Sequence, residues 1–250
     1  EESLFYKINY RLGRLYEVMQ ENKNSIAKER ADLQELISDI SHQTRTPIAN
    51  ILLYASLLAE GDLPPEQAEQ AAVLAQQGEK LSFLIQTLVK ASRLETGMFA
   101  MDPQVQGVQR LLDAVLIQGR QKARERGLSL TAEPTFAQAR FDEKWTAEAL
   151  YNLVDNALKY TPQGGKVALS VREFELFCAI QVEDNGPGIP EGEQGAIFGR
   201  FYRGEAVRDQ EGLGIGLYLA REVVTREGGY IRLNSSPGQG SRFSLYLPKE

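Results

Sequence analysis

Two apolar seams of helical spacing, joined by a proline-rich turn, constrain this chain more than any other feature. The first seam runs through Leu12, Leu15, Met19, Ile26, Leu33, Ile37 and Ile40, in steps of three, four or seven residues. The second runs through Leu74, Gly78, Leu81, Ile85 and Leu88 and continues to about Leu94. Such steps keep the residues on one stripe of a helix, and a stripe this long has to be covered by a partner helix. Between the seams, Gly61-Asp62-Leu63-Pro64-Pro65 places prolines where a helix opens. Residues 1 to about 60 are therefore expected to form one long helical tract, with a weak point near Glu21-Asn22-Lys23-Asn24. A second helix folds back along it and stops at Gly97. Two such antiparallel hairpins can share their seams as a dimeric four-helix bundle, so a homodimer is the expected state.

The only histidine of the 250 residues, His42, lies in Ser41-His42-Gln43-Thr44-Arg45-Thr46-Pro47. It stands two places past Ile40, off the seam, where it faces outward. An exposed imidazole packs poorly, but it is a nucleophile that is partly neutral near pH 7. Pro47 removes one backbone donor and can bend the helix just below it. Taken alone, the stretch reads equally well as a surface histidine beside a proline kink.

The formal net charge of −6 argues against a nucleic-acid surface, which needs a basic patch. A single cysteine, Cys178, excludes an internal disulfide and, with one histidine, argues strongly against a structural zinc site. The longest apolar run, residues 51–59, is far too short to span a bilayer, and no signal peptide opens the chain. The expectation is a soluble chain suited to a reducing compartment. It begins with Glu1 and not with Met, as a fragment of something larger would.

Beyond Pro103 the pattern changes. A helix is expected from about Val108 to Arg126, strand-like segments at Leu128 to Thr131 and Ala139 to Phe141, and a helix from Glu143 to Tyr160. Val167, Leu169 and Val171 alternate, as do Leu176, Cys178, Ile180 and Val182, which gives two adjacent half-buried strands. A helix over Leu213 to Arg226 opens on a glycine cluster. A hairpin around Ser236-Pro237-Gly238-Gln239-Gly240 closes the chain. The fold class is α+β in two domains, a helical hairpin followed by a two-layer α/β domain. The boundaries fall at 1–30 for an N-terminal coiled-coil helix, 31–100 for the hairpin and 101–250 for the α/β domain.

Four short stretches of the second domain carry chemistry. In Asn152-Leu153-Val154-Asp155-Asn156-Ala157-Leu158-Lys159-Tyr160 the two asparagines are four apart and project from one helix face. Amide oxygens suit Mg²⁺, which takes its remaining ligands from phosphates and water. Lys159 can meet a phosphate and Tyr160 can cover a flat ring. Asp184-Asn185-Gly186-Pro187-Gly188-Ile189 follows a strand, where a carboxylate can accept from an exocyclic amine and glycines let a base approach the backbone. Phe198-Gly199-Arg200-Phe201-Tyr202-Arg203 mixes aromatic anchors with guanidinium groups able to clamp phosphate oxygens, and a polar run from Gly204 to Glu211 follows it. Gly212-Leu213-Gly214-Ile215-Gly216-Leu217 opens a helix, whose positive end favours an anion. Each stretch has a plainer reading when taken singly: polar caps on an amphipathic helix, a tight turn, core aromatics with solvated arginines, and a flexible glycine run.

Taken in order, the four stretches resemble the asparagine, first glycine, phenylalanine and second glycine boxes of the sensor histidine kinases, and the stretch around His42 resembles that family's histidine box. Five motifs in the family's order and spacing, over roughly residues 30 to 250, carry the resemblance. It implies a dimeric hairpin bearing the phosphate-accepting histidine and an ATP-binding domain similar to those of gyrase and the Hsp90 chaperones. Carried over residue by residue, His42 is the acceptor. Asn156 is the main Mg²⁺ ligand with Asn152 beside it, Lys159 contacts phosphate and Tyr160 lines the nucleotide pocket. Asp184 binds adenine, and Gly186 and Gly188 shape its pocket. Arg203 approaches the γ-phosphate, with Arg200 a secondary contact. Gly212, Gly214 and Gly216 hold the phosphates under a lid of residues 204–211. The phosphoryl group then passes to an aspartate on the receiver domain of a response regulator, and Thr46 positions water when that regulator is dephosphorylated. The resemblance also implies the cytoplasmic portion of a membrane-anchored bacterial sensor, reaching the membrane only through an N-terminal segment outside this sequence.

The sequence departs from the family at Gln43, where Glu or Asp is usual and is thought to act as a base, and at Gly199, where a larger residue is common. An amide can orient a ring nitrogen but cannot take its proton, so transfer is expected to survive at a lower rate. Asp39, three residues before His42, is a candidate to hold the other ring nitrogen. Two competing readings are a phosphatase-dominant or nucleotide-sensing scaffold, favoured only by Gln43, and an ATPase clamp related to the chaperones. The clamp leaves the hairpin unexplained.

Overall fold

The computed structural model describes residues 2–61, 64–96, 101–207 and 214–250. The chain divides into two compact units, residues 1–98 and 99–250.

In the first unit α1 (Glu2–Glu60) and α2 (Pro65–Thr96) pack as a hairpin. Helix α1 runs without interruption through residues 21–24, where a weak point was expected, and through residue 30. Asn22 and Asn24 are poor helix formers, but neither glycine nor proline lies near them, and propensity alone does not break a helix. Pro47 is also carried inside α1. Gly97, the expected stop of the second helix, lies outside the described residues, which carry α2 as far as Thr96.

At 1.5 Å per residue α1 is about 88 Å long and α2 about 48 Å, so roughly the first 27 residues of α1 reach beyond the hairpin. Within the hairpin the buried contacts are small: Ile48, Ala55, Ala71 and Val89. Gly78 lets the helices approach closely, since a Cβ there would lie 2.9 Å from Leu52 Cδ2. The larger seam residues are left uncovered within one chain. Leu74, Leu81 and Leu88 are 53%, 43% and 47% exposed, and Leu12, Leu15, Met19 and Ile26 on the protruding part of α1 are exposed too.

The second unit is a five-stranded mixed sheet with helices on one face. Its elements are β1 (Gln104–Gly107), α3 (Val108–Glu125), β2 (Ser129–Ala132), β3 (Gln138–Phe141), α4 (Glu143–Tyr160), β4 (Lys166–Glu173) and β5 (Phe177–Asp184). After these come α5 (Glu191–Gln194), α6 (Gly216–Arg226), β6 (Tyr230–Ser235) and β7 (Ser241–Pro248). The strand order is β2-β4-β5-β7-β6, with β2 and β4 parallel and every other pair antiparallel. The period of two puts Val167, Leu169, Cys178, Ile180, Val182, Phe243, Leu245 and Leu247 on the buried face. Helices α3, α4 and α6 supply Leu111, Leu112, Val115, Leu150, Leu153, Val154, Leu158, Ala220 and Val224 against it.

Two expectations are refined here. The strand near Ala139 does not join this sheet. It pairs with β1, a segment the sequence did not reveal, in a separate two-stranded sheet. The helix after the glycine cluster begins at Gly216 and not at Leu213.

Candidate functional site

Helix α4 supplies the first part of the site. Asp142 caps it by accepting from Trp145 N at 3.1 Å. Trp145, Ala149, Leu150, Leu153, Val154, Ala157 and Leu158 turn one face into the core. The 3.6-residue period then leaves Asn152, Asp155, Asn156, Lys159 and Tyr160 half-buried on the other side. Lys122 on α3 pairs with Asp155 and fixes the rotation of this face. The Lys159 ammonium sits 5.0 Å from the centroid of the Tyr160 ring. Asn152 Nδ2 is buried without a hydrogen-bond partner among the described residues.

The second glycine segment meets that face. A Cβ on Gly216, the first residue of α6, would stand 3.1 Å from Asn152 Oδ1. The helix N-terminus, where unpaired backbone N–H groups favour an anion, is thus beside the asparagine. Gly214 has φ +68, and a Cβ there would overlap the Tyr202 carbonyl, so only glycine fits. Gly212 lies outside the described residues, as do residues 208–211 of the expected lid.

The phenylalanine segment separates into distinct roles. Phe198 is buried and meets Phe243 edge-on at 6.3 Å, which is the plain core reading. Phe201 is 58% exposed with φ 58, a left-handed conformation uncommon for a non-glycine residue. The Arg200 guanidinium lies over the Tyr218 ring at 4.9 Å, on the α6 side. Arg203 donates to the Val207 carbonyl at 2.9 Å. It is also near the Tyr160 phenol, whose pKa burial pushes up, the Arg203 charge draws back and Asp155 raises further. Of the two arginines, Arg203 is the one brought to the asparagine helix.

The first glycine segment forms the floor. Asp184 ends β5, half-buried, and its carboxylate accepts from the backbone N–H of Gly186 at 2.8 Å and from that of Ser241. Burial raises its pKa, the two backbone bonds oppose this, and the neighbouring Glu183 adds to the rise. Asn185 closes the turn by accepting from Lys166 N at 2.7 Å. Gly188 has φ +73, and a Cβ there would overlap the Ser236 carbonyl.

Long-range bonds invisible in the sequence clamp this turn onto the β6–β7 hairpin. Ile189 N donates to Ser235 Oγ at 2.8 Å, and Ser235 Oγ bonds the Gly240 carbonyl at 2.8 Å. Gln194 Nε2 reaches the carbonyls of Ile189 and Ser235, each at 3.0 Å. Gly238 N donates to Pro187 O at 2.6 Å. Ser241, Ser235 and Gln194 thus hold Asp184 and its turn in place. Only the Ser-Pro-Gly turn signal beside them was readable beforehand.

His42, Gln43 and Thr46 belong to the other unit, on α1. The His42 side chain lies outside the described residues. Gln43 and Thr46 are exposed, as is Asp39, and the Thr44 hydroxyl donates to the Ile40 carbonyl at 2.6 Å.

Residues 32–97 match the His Kinase A (phospho-acceptor) domain, and residues 141–250 match the Histidine kinase-, DNA gyrase B-, and HSP90-like ATPase family. The chain belongs to the sensor histidine kinases. Among its relatives is the sensor protein SrrB of Staphylococcus aureus, 30% identical over 223 residues, which are 86% of this chain and 38% of that protein. This sensor histidine kinase chain therefore spans well under half the length of the curated relatives it matches. Full-length ShkA in complex with AMPPNP is similar in structure, with TM-score 0.73, 26% identity, and coverage of 86% of this chain and 45% of ShkA. The Acinetobacter baumannii kinase AdeS, 19% identical with TM-score 0.60, shares the fold over 84% of this chain and 98% of its own. The α/β unit carries an ATP-binding fold of this family. No helix of the described residues is long and apolar enough to cross a membrane.

Proposed function

We propose that the chain autophosphorylates His42 with the γ-phosphoryl group of ATP and passes that group to an aspartate on a response regulator. The observation that carries this reading is the convergence on one helix face. Asn152, Asn156, Lys159 and Tyr160 share a side of α4, and the α6 N-terminus at Gly216 and the Arg203 guanidinium both come to it.

In this reading Asp184 accepts from the adenine amino group, in a turn kept open by Gly186 and Gly188. Tyr160 covers the base, Lys159 and Arg203 counter the phosphates, and the glycines at 212, 214 and 216 admit them to the helix end. Transfer joins the imidazole nitrogen of His42 to the γ-phosphorus as the bond from that phosphorus to the β–γ bridging oxygen breaks. ADP leaves and the imidazole gives up a ring proton. Gln43 can orient the ring but cannot take the proton, so positioning and charge carry the step.

The donor set also suits Mg²⁺. Asn152 and Asn156 offer hard amide oxygens, and the described residues contain no cluster of three or more His, Cys, Asp or Glu. An ion at Asn156 and Asn152 would take its other ligands from the phosphates and water, and would neutralise charge there.

The uncovered seams at Leu74, Leu81 and Leu88 support a homodimeric four-helix bundle, and the exposed stripe of Leu12, Leu15, Met19 and Ile26 supports residues 1–30 as a paired signalling helix. Residues 31–100 then act as the phosphotransfer hairpin and 101–250 as the catalytic domain, in the cytoplasmic portion of a membrane-anchored sensor. Gln43 favours a second reading, a phosphatase-dominant protein in which exposed Thr46 positions water. Incubation with Mg-ATP separates the two. The kinase reading predicts phosphate lost in acid and kept in base. The second predicts little label and rapid dephosphorylation of a phosphorylated regulator. Mixed dimers of His42→Ala and Asn156→Ala subunits report whether a subunit modifies itself or its partner.

A further inference from the structure

The root of the lid is held from both sides by charged side chains. It is one turn of 3-10 helix, Glu205–Val207, closed by Val207 N donating to the Gly204 carbonyl at 3.1 Å. At the end of the turn the Val207 carbonyl accepts from the Arg203 guanidinium at 2.9 Å. At its start the Glu193 carboxylate accepts from Glu205 N at 3.4 Å. That bond is long, and the tighter part of the contact is steric. Gly204 is buried, and a Cβ on it would overlap Glu193 Oε2, so the carboxylate lies directly on the glycine. A carboxylate at the start of a helical turn and a guanidinium at its end each meet backbone groups that the turn leaves unpaired.

Glu193 is itself anchored. It belongs to α5, and its neighbour Gln194 donates to the carbonyls of Ile189 and Ser235, each at 3.0 Å, on the floor beside Asp184. The carboxylate therefore ties the lid root to the floor. Arg203 stands inside this tie, close enough to the Tyr160 phenol on α4 for its charge to oppose the rise in that group's pKa. We infer that Glu193 is a positioning residue for phosphoryl transfer: by covering Gly204 and accepting from Glu205 N, it sets where the Arg203 guanidinium meets the γ-phosphate. This rests on the nucleotide reading above. The negative charge of Glu193 is unsuited to a phosphate contact, so the residue acts through the backbone of residues 203–205. A misplacement of about 1 Å can cost about a hundredfold in rate, so a loosened root is felt at Arg203.

The test compares the full chain with its Glu193→Ala, Glu193→Gln, Gly204→Ala and Arg203→Ala variants. Titration calorimetry with Mg-AMPPNP and with Mg-ADP gives a ratio of affinities that isolates the γ-phosphate contact. The rate of His42 phosphorylation at saturating ATP is read beside it. Glu193→Ala is expected to weaken AMPPNP binding about tenfold, to hold ADP binding within about twofold, and to slow phosphorylation about tenfold. Glu193→Gln keeps an acceptor oxygen at the same reach and is expected to stay within about twofold of the parent in all three. Gly204→Ala displaces the carboxylate from the other side and should reproduce Glu193→Ala. The two together should lose no more than either alone, since both remove one contact. Equal weakening of AMPPNP and ADP would mark a merely structural role and overturns the inference. So do equal losses in the alanine and glutamine variants, additive losses in the double variant, or a parent ratio in Glu193→Ala where Arg203→Ala loses it. If Arg203→Ala keeps the parent ratio as well, the placing of Arg203 at the γ-phosphate falls, and the inference with it.

Discussion

Replacing Glu227 by glutamine tests whether a buried carboxyl holds the α/β unit together through its proton. Glu227 follows α6 and is 2% exposed. Its carboxylate accepts from Asp142 N at 2.8 Å and from the Thr146 hydroxyl at 2.8 and 2.9 Å, which ties the end of α6 to the start of α4. Burial pushes its pKa up from 4.5 to about 7, against the pull of those hydrogen bonds. Asp142 adds to the rise and Arg140 opposes it. A folded pKa above the unfolded one means that the folded state binds the proton more tightly. Stability from this group is full below about pH 4.5 and is lost as pH rises toward 7. At 1.36 kcal/mol per pKa unit, the loss between about pH 5.5 and about pH 8 comes to about 2 kcal/mol. Glutamine cannot titrate, so the stability difference between parent and Glu227→Gln should shrink by about that amount over the interval. The assay is urea unfolding followed by tryptophan fluorescence. Trp145 is the sole tryptophan, 7% exposed, and lies in the first turn of α4 beside Thr146, so its signal reports this unit. A difference that stays constant within about 0.5 kcal/mol across the range refutes the reasoning.

Three further outcomes are expected. Gly188→Ala should destabilise the α/β unit by about 2 kcal/mol or more, because the position needs a positive φ and the added methyl meets the Ser236 carbonyl; a urea titration checks it. Cys178 is fully buried with its pKa pushed up to about 11, so aromatic disulfide reagents at about pH 8 should label it only after unfolding. Gln43→Glu should raise the initial rate of His42 phosphorylation by about tenfold or more, and an unchanged rate would show that no base is missing there.

Much of the fold was legible where local rules and tertiary packing agree. Helix α4 has the expected limits, Glu143–Tyr160, because a capping aspartate precedes a clean apolar period. The paired strands β4 and β5 and the β6–β7 hairpin were readable from alternation and turn residues. Strand β1 was not, since Gln104–Gly107 is mostly exposed and carries no apolar alternation. The asparagines, Asp184 and the glycines were found as motifs. Ser235 and Gln194 were not, for their roles arise from register. Ser235 and Ile189 meet across 46 positions. The expected weak point at residues 21–24 shows the converse, a local preference overruled by an otherwise unbroken helical sequence.

The central claim is that a phosphoryl group moves from ATP to one imidazole. Incubating the chain with Mg²⁺ and ATP labelled at the γ-phosphorus, then mapping the label, tests it most directly. The account predicts an acid-labile, base-stable phosphate on His42 that is absent from both His42→Ala and Asn156→Ala. Label on a serine, threonine or tyrosine, or label that persists in His42→Ala, would contradict it.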